Sequence, residues 1–438
     1  MPGIHKYFST TWVRQRARPA DIERKVKAYL HPSPPRPNTP GYHAAFERAK
    51  RAFRLPQKVN PYHIHDSIRF YQHPEKSPGL PHTANGLHRK DEVNILMYKQ
   101  YIHNLKYGIV SHCAIPCTAA AKSMVAPSPK FRLIWVYPAY MTLAEGMFAQ
   151  PLINAYSGAR GQYGIWIKYG RGDLRHLMSQ RVAKYEWLGL DWSSFDVNVP
   201  PWLIRDAFSI LRENLDFRAY QFWGAPTDSD TLPRLWRAIV RYFIDTPVKL
   251  PTGEVLVKHQ GVPSGSFFTS MIDSICNCIM VNYLIGTNYQ WSATWYLGDD
   301  CLVAVPPGVD VAELAISALV IFGAHLNPDK SEKGKYVSFL GYRMQSDMRP
   351  GSNFDKLSAQ VLLPDRPDRC LEDTVARVCA LQLSCFGRNK RFIEQSQAFL
   401  ADNGVSGTYR LRSRDDILKW HQFIGVEWEP LSEVMSRV

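Results

Sequence analysis

The chain has 438 residues, 45% of them hydrophobic, and carries 53 Lys and Arg against 39 Asp and Glu, a formal net charge of +14. That apolar content supplies a sizeable core, and the charge points to a polyanionic partner, nucleic acid before anionic membrane. No apolar run approaches the roughly 18 residues of a spanning helix, and the charge-broken stretch from Met1 to Leu30 has no signal-peptide core, so no membrane insertion is expected.

In chain order, the first expected element is a basic helix over about Asp21 to Leu30. Pro32 to Pro40, with five prolines in nine positions, follows as a stiff extended tether able to strap one subdomain to another, or as a flexible leader. Residues 41–185 read as mixed helix and strand. Ser77-Pro78-Gly79-Leu80-Pro81 is a turn signal within them, and Lys130-Phe131-Arg132-Leu133-Ile134-Trp135-Val136 reads as a strand with Lys130 and Arg132 on one face. Trp187 to Leu190 forms an apolar strand that ends in Asp191. Asp196 follows five positions later, just before a helix that starts near Pro200-Pro201-Trp202; both aspartates are also placed to cap that helix. Helices are expected over 203–245.

The loop Gln260-Gly261-Val262-Pro263-Ser264-Gly265-Ser266-Phe267-Phe268-Thr269 runs into an apolar helix, Met271 to Ile285. Thr269, Asp273 and Asn277 share one face of it, and a buried polar ridge of this kind needs partners. Next, Trp295 to Val303 reads as a hairpin with Gly298 at its turn and Asp299 and Asp300 at its tip. Asn327-Pro328-Asp329-Lys330-Ser331 is a turn, and Phe339-Leu340-Gly341-Tyr342 a second hairpin. Beyond 352, apolar helical patterns alternate with Arg388, Lys390, Arg391, Arg410, Arg412 and Arg414, which form either a basic binding face or a solvated surface. The eight cysteines contain no Cys-x2-Cys spacing, and His112-Cys113-x3-Cys117 is the nearest approach to a metal motif; a reducing compartment is expected.

Adjacent carboxylates repel each other and attract hard cations, and paired metals serve in-line phosphoryl displacement. Gly-Asp-Asp alone also makes ordinary surface turns. Asp191, at the end of a second strand, can face the pair and complete a site for two Mg2+ ions.

The order Asp191-x4-Asp196, Gly261-Val262-Pro263-Ser264-Gly265-Ser266 with Thr269 and Asn277 downstream, then Gly298-Asp299-Asp300 resembles motifs A, B and C of viral RNA-dependent RNA polymerases. Phe195-Asp196-x3-Pro200-x-Trp202 and Ser274-x2-Asn277 make it most similar to partitiviruses and related double-stranded RNA viruses. The segments at Lys130, Lys330, Phe339 and Ser77 resemble motifs F, D, E and G. The resemblance implies an α+β right-hand polymerase with an antiparallel palm sheet and helical thumb. Its expected division is a basic N-terminal segment and tether (1–40), fingers (41–185), palm (186–202), a return to the fingers (203–254), palm again (255–345) and thumb (346–438). It implies that Asp191, Asp299 and Asp300 hold two Mg2+, with Mn2+ a substitute. Lys130, Arg132 and Lys330 would face the triphosphate. Asp196 and Asn277, helped by Ser264, Gly265 and Thr269, would bind the nucleotide sugar. Expected partners are an RNA template and product duplex, NTPs and a capsid protein, in a virion interior or host cytoplasm. A reverse transcriptase-like polymerase and a non-catalytic RNA-binding structural protein are the competing readings.

Overall fold

The computed structural model describes residues 3–405, 421–422, 424–426 and 430–438. Its centre is a four-stranded antiparallel sheet in the order Glu332–Gly334, Glu186–Gly189, Asp300–Val305, Gln290–Leu297. Strands buried on one face alternate apolar with polar, whereas the central strand Asp300–Val305 is apolar and buried at every position after Asp300 because both of its faces are covered. Leu188, Tyr296, Cys301, Val303 and Val305 point into one core, which the helices Thr269–Ile285 and Val311–Phe322 help to build. Trp187, Trp295, Leu302 and Ala304 point into a second core with Trp166, Leu174 and Phe339. A one-residue slip would exchange the two sets, so the register is strongly specified.

A second sheet holds the basic strand. Cys117–Met124 and Lys130–Val136 form a hairpin, Thr118 opposite Val136 and Met124 opposite Lys130. Pro247–Lys249 joins it in parallel and Val255–Val257 continues it. The long helix Ala139–Ala159 runs behind, with its first fourteen residues buried. The helices Pro201–Glu213 and Thr231–Ile244 complete this body. The helices expected over 203–245 are these two, separated by the turn-rich stretch Asn214 to Asp230. C-terminal helices Phe354–Leu362, Leu371–Ser384 and Lys390–Asp402 build a third core.

The N-terminal segment touches each of these bodies. Ile4 and Phe8 are buried in the third core. Arg14 donates to the carbonyls of Leu363 (2.8 Å) and Ser123 (2.9 Å), one on each body, and pairs with Asp365. The helix Pro19–Lys27 lies on the basic hairpin, where Lys25 donates to the Phe131 carbonyl at 2.8 Å. Farther on, Trp202 donates to the Pro34 carbonyl at 2.8 Å, and Asp206 accepts from Arg36 (2.9 Å) and Tyr42 (2.6 Å). A proline-rich strand has no ladder to satisfy its carbonyls, so side chains of the body do so.

All eight cysteines are free thiols. No helix among the described residues is long and apolar enough to cross a membrane.

Phe8 sits between the rings of Phe392 and Phe399, with centroids 5.7 and 6.5 Å away. Truncating a buried Phe removes transfer energy and leaves a cavity, so Phe8→Ala should cost the C-terminal helices about 3–5 kcal/mol. Limited proteolysis reads this directly: cleavage within 354–402 should accelerate while the central sheet stays protected. Unchanged cleavage there would mean that the strap does not hold this region.

Candidate active site

The central sheet brings the acidic strand end to the acidic hairpin. Leu188 pairs with Val303 in antiparallel register, and continuing that ladder by three residues sets Asp191 beside Asp300. Gly298, at φ +66°, closes the hairpin, and Leu297 pairs with Asp300 across the turn. Asp191 is fixed through its backbone: its N–H donates to Ser331 Oγ at 3.0 Å and its carbonyl accepts from Asn327 N–H at 2.8 Å. Its carboxylate is left exposed.

The hairpin tip is held from below. Asn277, fully buried, donates from Nδ2 to the carbonyls of Asp299 (2.8 Å) and Gly298 (3.2 Å), and its Oδ1 accepts from Trp192 Nε1 at 3.2 Å. Ser274 Oγ accepts from the Gly298 N–H at 2.8 Å. The polar ridge therefore grips the turn that carries the carboxylates, and the Asn277 amide is engaged with protein groups on both sides.

The electrostatics match this crowding. Asp299 and Asp300 keep solvent exposure but are closely surrounded by protein. Desolvation pushes Asp300 up to about 7, reinforced by the charges of Asp299 and Asp191. Asp299 is raised by desolvation and by Asp191, while Arg132 and Lys130 oppose the shift. Asp196, on the short helix Phe195–Asn198, is raised by desolvation and by Asp299, and lowered by Arg132 and by the hydrogen bond it accepts from Ser264 Oγ. Asp191, Asp196, Asp299, Asp300, Arg132 and Lys130 thus share one field.

Carboxylate oxygens are the donor set that Mg2+ takes. Among the described residues no group of three His, Cys, Asp or Glu is drawn close enough to chelate a metal by itself. The His112-Cys113-x3-Cys117 segment likewise forms no such group.

The loop before Thr269 is clamped by buried charge. Glu145, wholly buried on the Ala139–Ala159 helix, accepts from Ser266 Oγ (2.8 Å) and Phe267 N–H (2.9 Å). At the other end Lys258, also buried, donates to the carbonyls of Phe243 (2.6 Å), Gly261 (2.9 Å) and Ile244 (3.0 Å). Thr269 Oγ1 donates to Pro263 (2.8 Å) and Ser266 (2.9 Å), closing the loop onto its helix. Trp135 N–H donates to the Ser264 carbonyl at 3.2 Å, and a Cβ on Gly265 would lie 1.8 Å from the Trp135 carbonyl oxygen. Only glycine allows the loop to lie this close to the basic strand.

Lys130 and Arg132 are both exposed on that strand, while Leu133 and Trp135 are buried. Lys330 stands exposed on the turn that holds Asp191. Three contributors were not assigned from the sequence. Asp273, on the polar ridge, is buried, has no hydrogen-bond partner for Oδ1, and is pushed well up by desolvation and by Asp196 and Asp299. Glu145 sits in an apolar run with no motif around it. Lys356, from the C-terminal helices, has an ammonium lowered by desolvation and by Arg132, with Asp300 opposing. Of the C-terminal cations, Arg388 pairs with Asp347, Lys390 with Glu394 at 3.8 Å, and Arg391 lies 4.0 Å over the Phe354 ring. Arg410, Arg412 and Arg414 lie outside the described residues.

A family model described as viral RNA-dependent RNA polymerase matches residues 3–387. The RNA-directed RNA polymerase of Cryptosporidium parvum virus 1 (strain KSU-1) is 29% identical over 294 residues, covering 61% of this chain and 54% of that protein. The RNA-directed RNA polymerase of White clover cryptic virus 1 (isolate Boccardo/2004) is 26% identical over 221 residues, 45% of this chain and 33% of that one. The match thus spans about half the length of the first relative and a third of the second. Among solved structures, the Sicinivirus 3Dpol RNA-dependent RNA polymerase superposes with a TM-score of 0.73 at 15% identity, covering 96% of this chain and 94% of that one. The fold is that of a right-hand polymerase, α+β as expected.

The Glu145 clamp has a pH signature. Burial raises its carboxyl from the usual 4.5 to about 8, against the two hydrogen bonds it accepts. Folding therefore favours the protonated acid. That stabilisation is complete below the unfolded value and is lost as pH rises through 8. Glu145→Gln carries no charge at any pH, so its melting temperature relative to the parent should climb between about pH 5 and 8 and then level off. A difference that does not change with pH would contradict a titrating buried acid.

Proposed function

Since the chain belongs to the viral RNA-dependent RNA polymerase family, we propose that it is a template-directed RNA polymerase that replicates and transcribes a viral double-stranded RNA genome. The observation that carries this reading is the meeting of Asp191, Asp299 and Asp300 at one sheet end, with Arg132 and Lys130 of a separate sheet in the same field. Neither a structural RNA-binding protein nor an unused surface turn calls for mutually repelling carboxylates opposite cations that have no ion-pair partner among the described residues.

The reaction joins the 3′-oxygen of the growing strand to the α-phosphorus of an NTP. The bond to the bridging oxygen breaks, pyrophosphate leaves, and the hydroxyl proton is released. Two Mg2+ ions bound by Asp191, Asp299 and Asp300 would lower the hydroxyl pKa and neutralise charge on the triphosphate. Arg132, with its planar fork of donors, binds the triphosphate, aided by Lys130 and Lys330. Asp196, held by Ser264, accepts from the ribose hydroxyls. Asp273, one turn before Asn277, offers its open Oδ1 to the same pocket. Asn277 acts by fixing the hairpin tip, and Gly265 by letting the loop approach the basic strand. A 2′-hydroxyl both donates and accepts, so a pocket built to pair it leaves buried polar groups unpaired when a deoxynucleotide enters.

On this reading residues 41–185 and 203–254 are fingers, 186–202 and 255–345 palm, and 346–438 thumb, with 1–40 strapping fingers to thumb. RNA template, product duplex and NTPs are its partners, and a capsid protein joins them where synthesis runs inside a particle.

Asp299→Ala and Asp191→Ala should each lower incorporation by about three orders of magnitude or more, since several kcal/mol of transition-state stabilisation go with one ligand. RNA affinity, measured by filter binding, should be nearly unchanged. Turnover near the parent's in purified Asp299→Ala would end the catalytic assignment.

Asp196→Ala should reduce kcat/KM for NTPs by roughly 5- to 150-fold, the worth of a lost hydrogen bond of about 1–3 kcal/mol, with little change for dNTPs. Asn277→Ala should instead lower both substrates together, because its amide holds the hairpin. The comparison uses steady-state incorporation of matched NTP and dNTP. Equal losses in Asp196→Ala would make that residue a scaffold for the pocket instead of its sugar reader.

A further inference from the structure

The helices Pro201–Glu213 and Thr231–Ile244 bury one face each, through Leu203, Ile204, Ala207 and Phe208 in the first and Leu235, Trp236, Ile239 and Phe243 in the second. Their outward faces meet in a cleft of about 260 Å³, with Arg205 on one side and Arg237 and Arg241, one helical turn apart, on the other. Val240 and Ile244 give it an apolar floor. All three guanidinium groups are exposed, and among the described residues none of them has an ion-pair or hydrogen-bond partner.

The neighbouring acids are engaged elsewhere. Asp206 accepts from Arg36 and Tyr42, and Asp245, which also lines the cleft, is bonded to the His259 ring at 2.8 Å. Three cations and one carboxylate, Asp245, therefore line the cleft around an apolar floor, and positive charge is in excess. Like charges so arranged repel, and a chain of phosphates is their chemical complement. Guanidinium binds phosphate in bidentate fashion, and an apolar floor accepts the face of an unpaired base. The helix Pro201–Glu213 turns its buried face to the helix Thr269–Ile285, which carries Asn277. The cleft thus opens on the side of this helix pair away from Asp191 and Asp299.

We propose that the Arg205–Arg237–Arg241 cleft is a second RNA site, outside the catalytic channel, that holds the backbone of single-stranded RNA. It rests on the reading of the chain as an RNA polymerase, and it assigns this face to a strand that is not being copied at that moment: template still to be drawn in, or a strand already released.

The test uses the full chain and its Arg205→Gln/Arg237→Gln/Arg241→Gln variant, with two RNAs: a short primer–template duplex, and the same duplex carrying a long single-stranded template extension. Affinity is measured by fluorescence anisotropy across a salt series. With the extended RNA, the variant's log–log salt slope should be shallower by about two units, the contribution of three lost phosphate contacts to a single strand. With the short duplex, affinity and NTP incorporation should equal the parent's. Single charge reversal, Arg237→Glu, should weaken the extended RNA alone in the same direction, and it keeps the test valid if the triple variant folds poorly. An unchanged slope and affinity on the extended RNA would overturn the proposal. So would protection of the parent, but not the variant, by inorganic phosphate or ATP with no effect on RNA, which would make the cleft a small-anion site. Loss of incorporation by the parent on the short duplex would strike at the polymerase reading itself and leave the cleft to be judged by the binding arm.

Discussion

Repulsion among three carboxylates is the constraint around which the rest of the molecule is arranged. Asp191, Asp299 and Asp300 lie at the ends of two strands whose register sets them side by side; Asp191 raises the proton affinity of Asp299 and Asp300, and Asp299 raises that of Asp300. No isolated hairpin would hold such a tip, since the repulsion favours splaying the strands. Here both faces of the sheet are buried, so register cannot slip without moving Trp187 and Leu188 into the wrong cores. Asn277 and Ser274 then fasten the turn by its backbone groups and not by its carboxylates. The polar side chains Asn277 and Ser274 are thus spent on the main chain of the turn.

The same logic extends outward. The loop bearing Ser264 and Gly265 must lie against the basic strand, and an irregular buried backbone has to find partners for its N–H and C=O groups. Glu145 and Lys258 supply them from opposite ends, each at the cost of burying a charge or carrying a displaced pKa: about 8 for the acid and about 7 for the amine, both moved chiefly by burial. Neither is paired with the other, so each depends on its own hydrogen bonds. The N-terminal strap completes the enclosure, since Tyr29 stacks edge-on to Trp135 at 5.1 Å and donates to the Val262 carbonyl of the same loop at 3.4 Å. A segment that touches the C-terminal helices through Phe8 and the nucleotide loop through Tyr29 couples parts of the chain far apart in sequence.

How far the sequence revealed this depends on the kind of signal. The hairpin around Gly298, the strand alternation of Lys130 and Arg132, and the polar face Thr269–Asp273–Asn277 were legible because each follows from a period or a turn requirement. The stretch Pro32 to Pro40 was legible as extended, because prolines in series cannot join a packed sheet. What Asn277 binds was not: spacing puts an amide on a face but does not say that Trp192 and the hairpin carbonyls reach it first. Glu145 was invisible, lying in Ala139–Ala159 among residues that give no polar pattern, and its partner Ser266 is more than a hundred positions away. Lys356 escaped for the same reason, because a lone lysine at a helix start signals nothing until tertiary packing sets it near Arg132. The arginines at 205, 237 and 241 were hidden inside two amphipathic helices, where outward charge is the ordinary expectation.

On the proposed reading the acidic sheet end, the loop bearing Ser264 and the basic strand act together in adding a nucleotide to a chain. The most direct test is extension of an RNA primer on an RNA template by the purified protein, with NTPs and dNTPs in parallel and Mg2+ removed and restored. The account predicts extension with NTPs, little with dNTPs, none after chelation, and recovery when Mg2+ is returned. Purified, folded protein that extends no primer at any Mg2+ concentration, or that uses dNTPs as readily as NTPs, would contradict it.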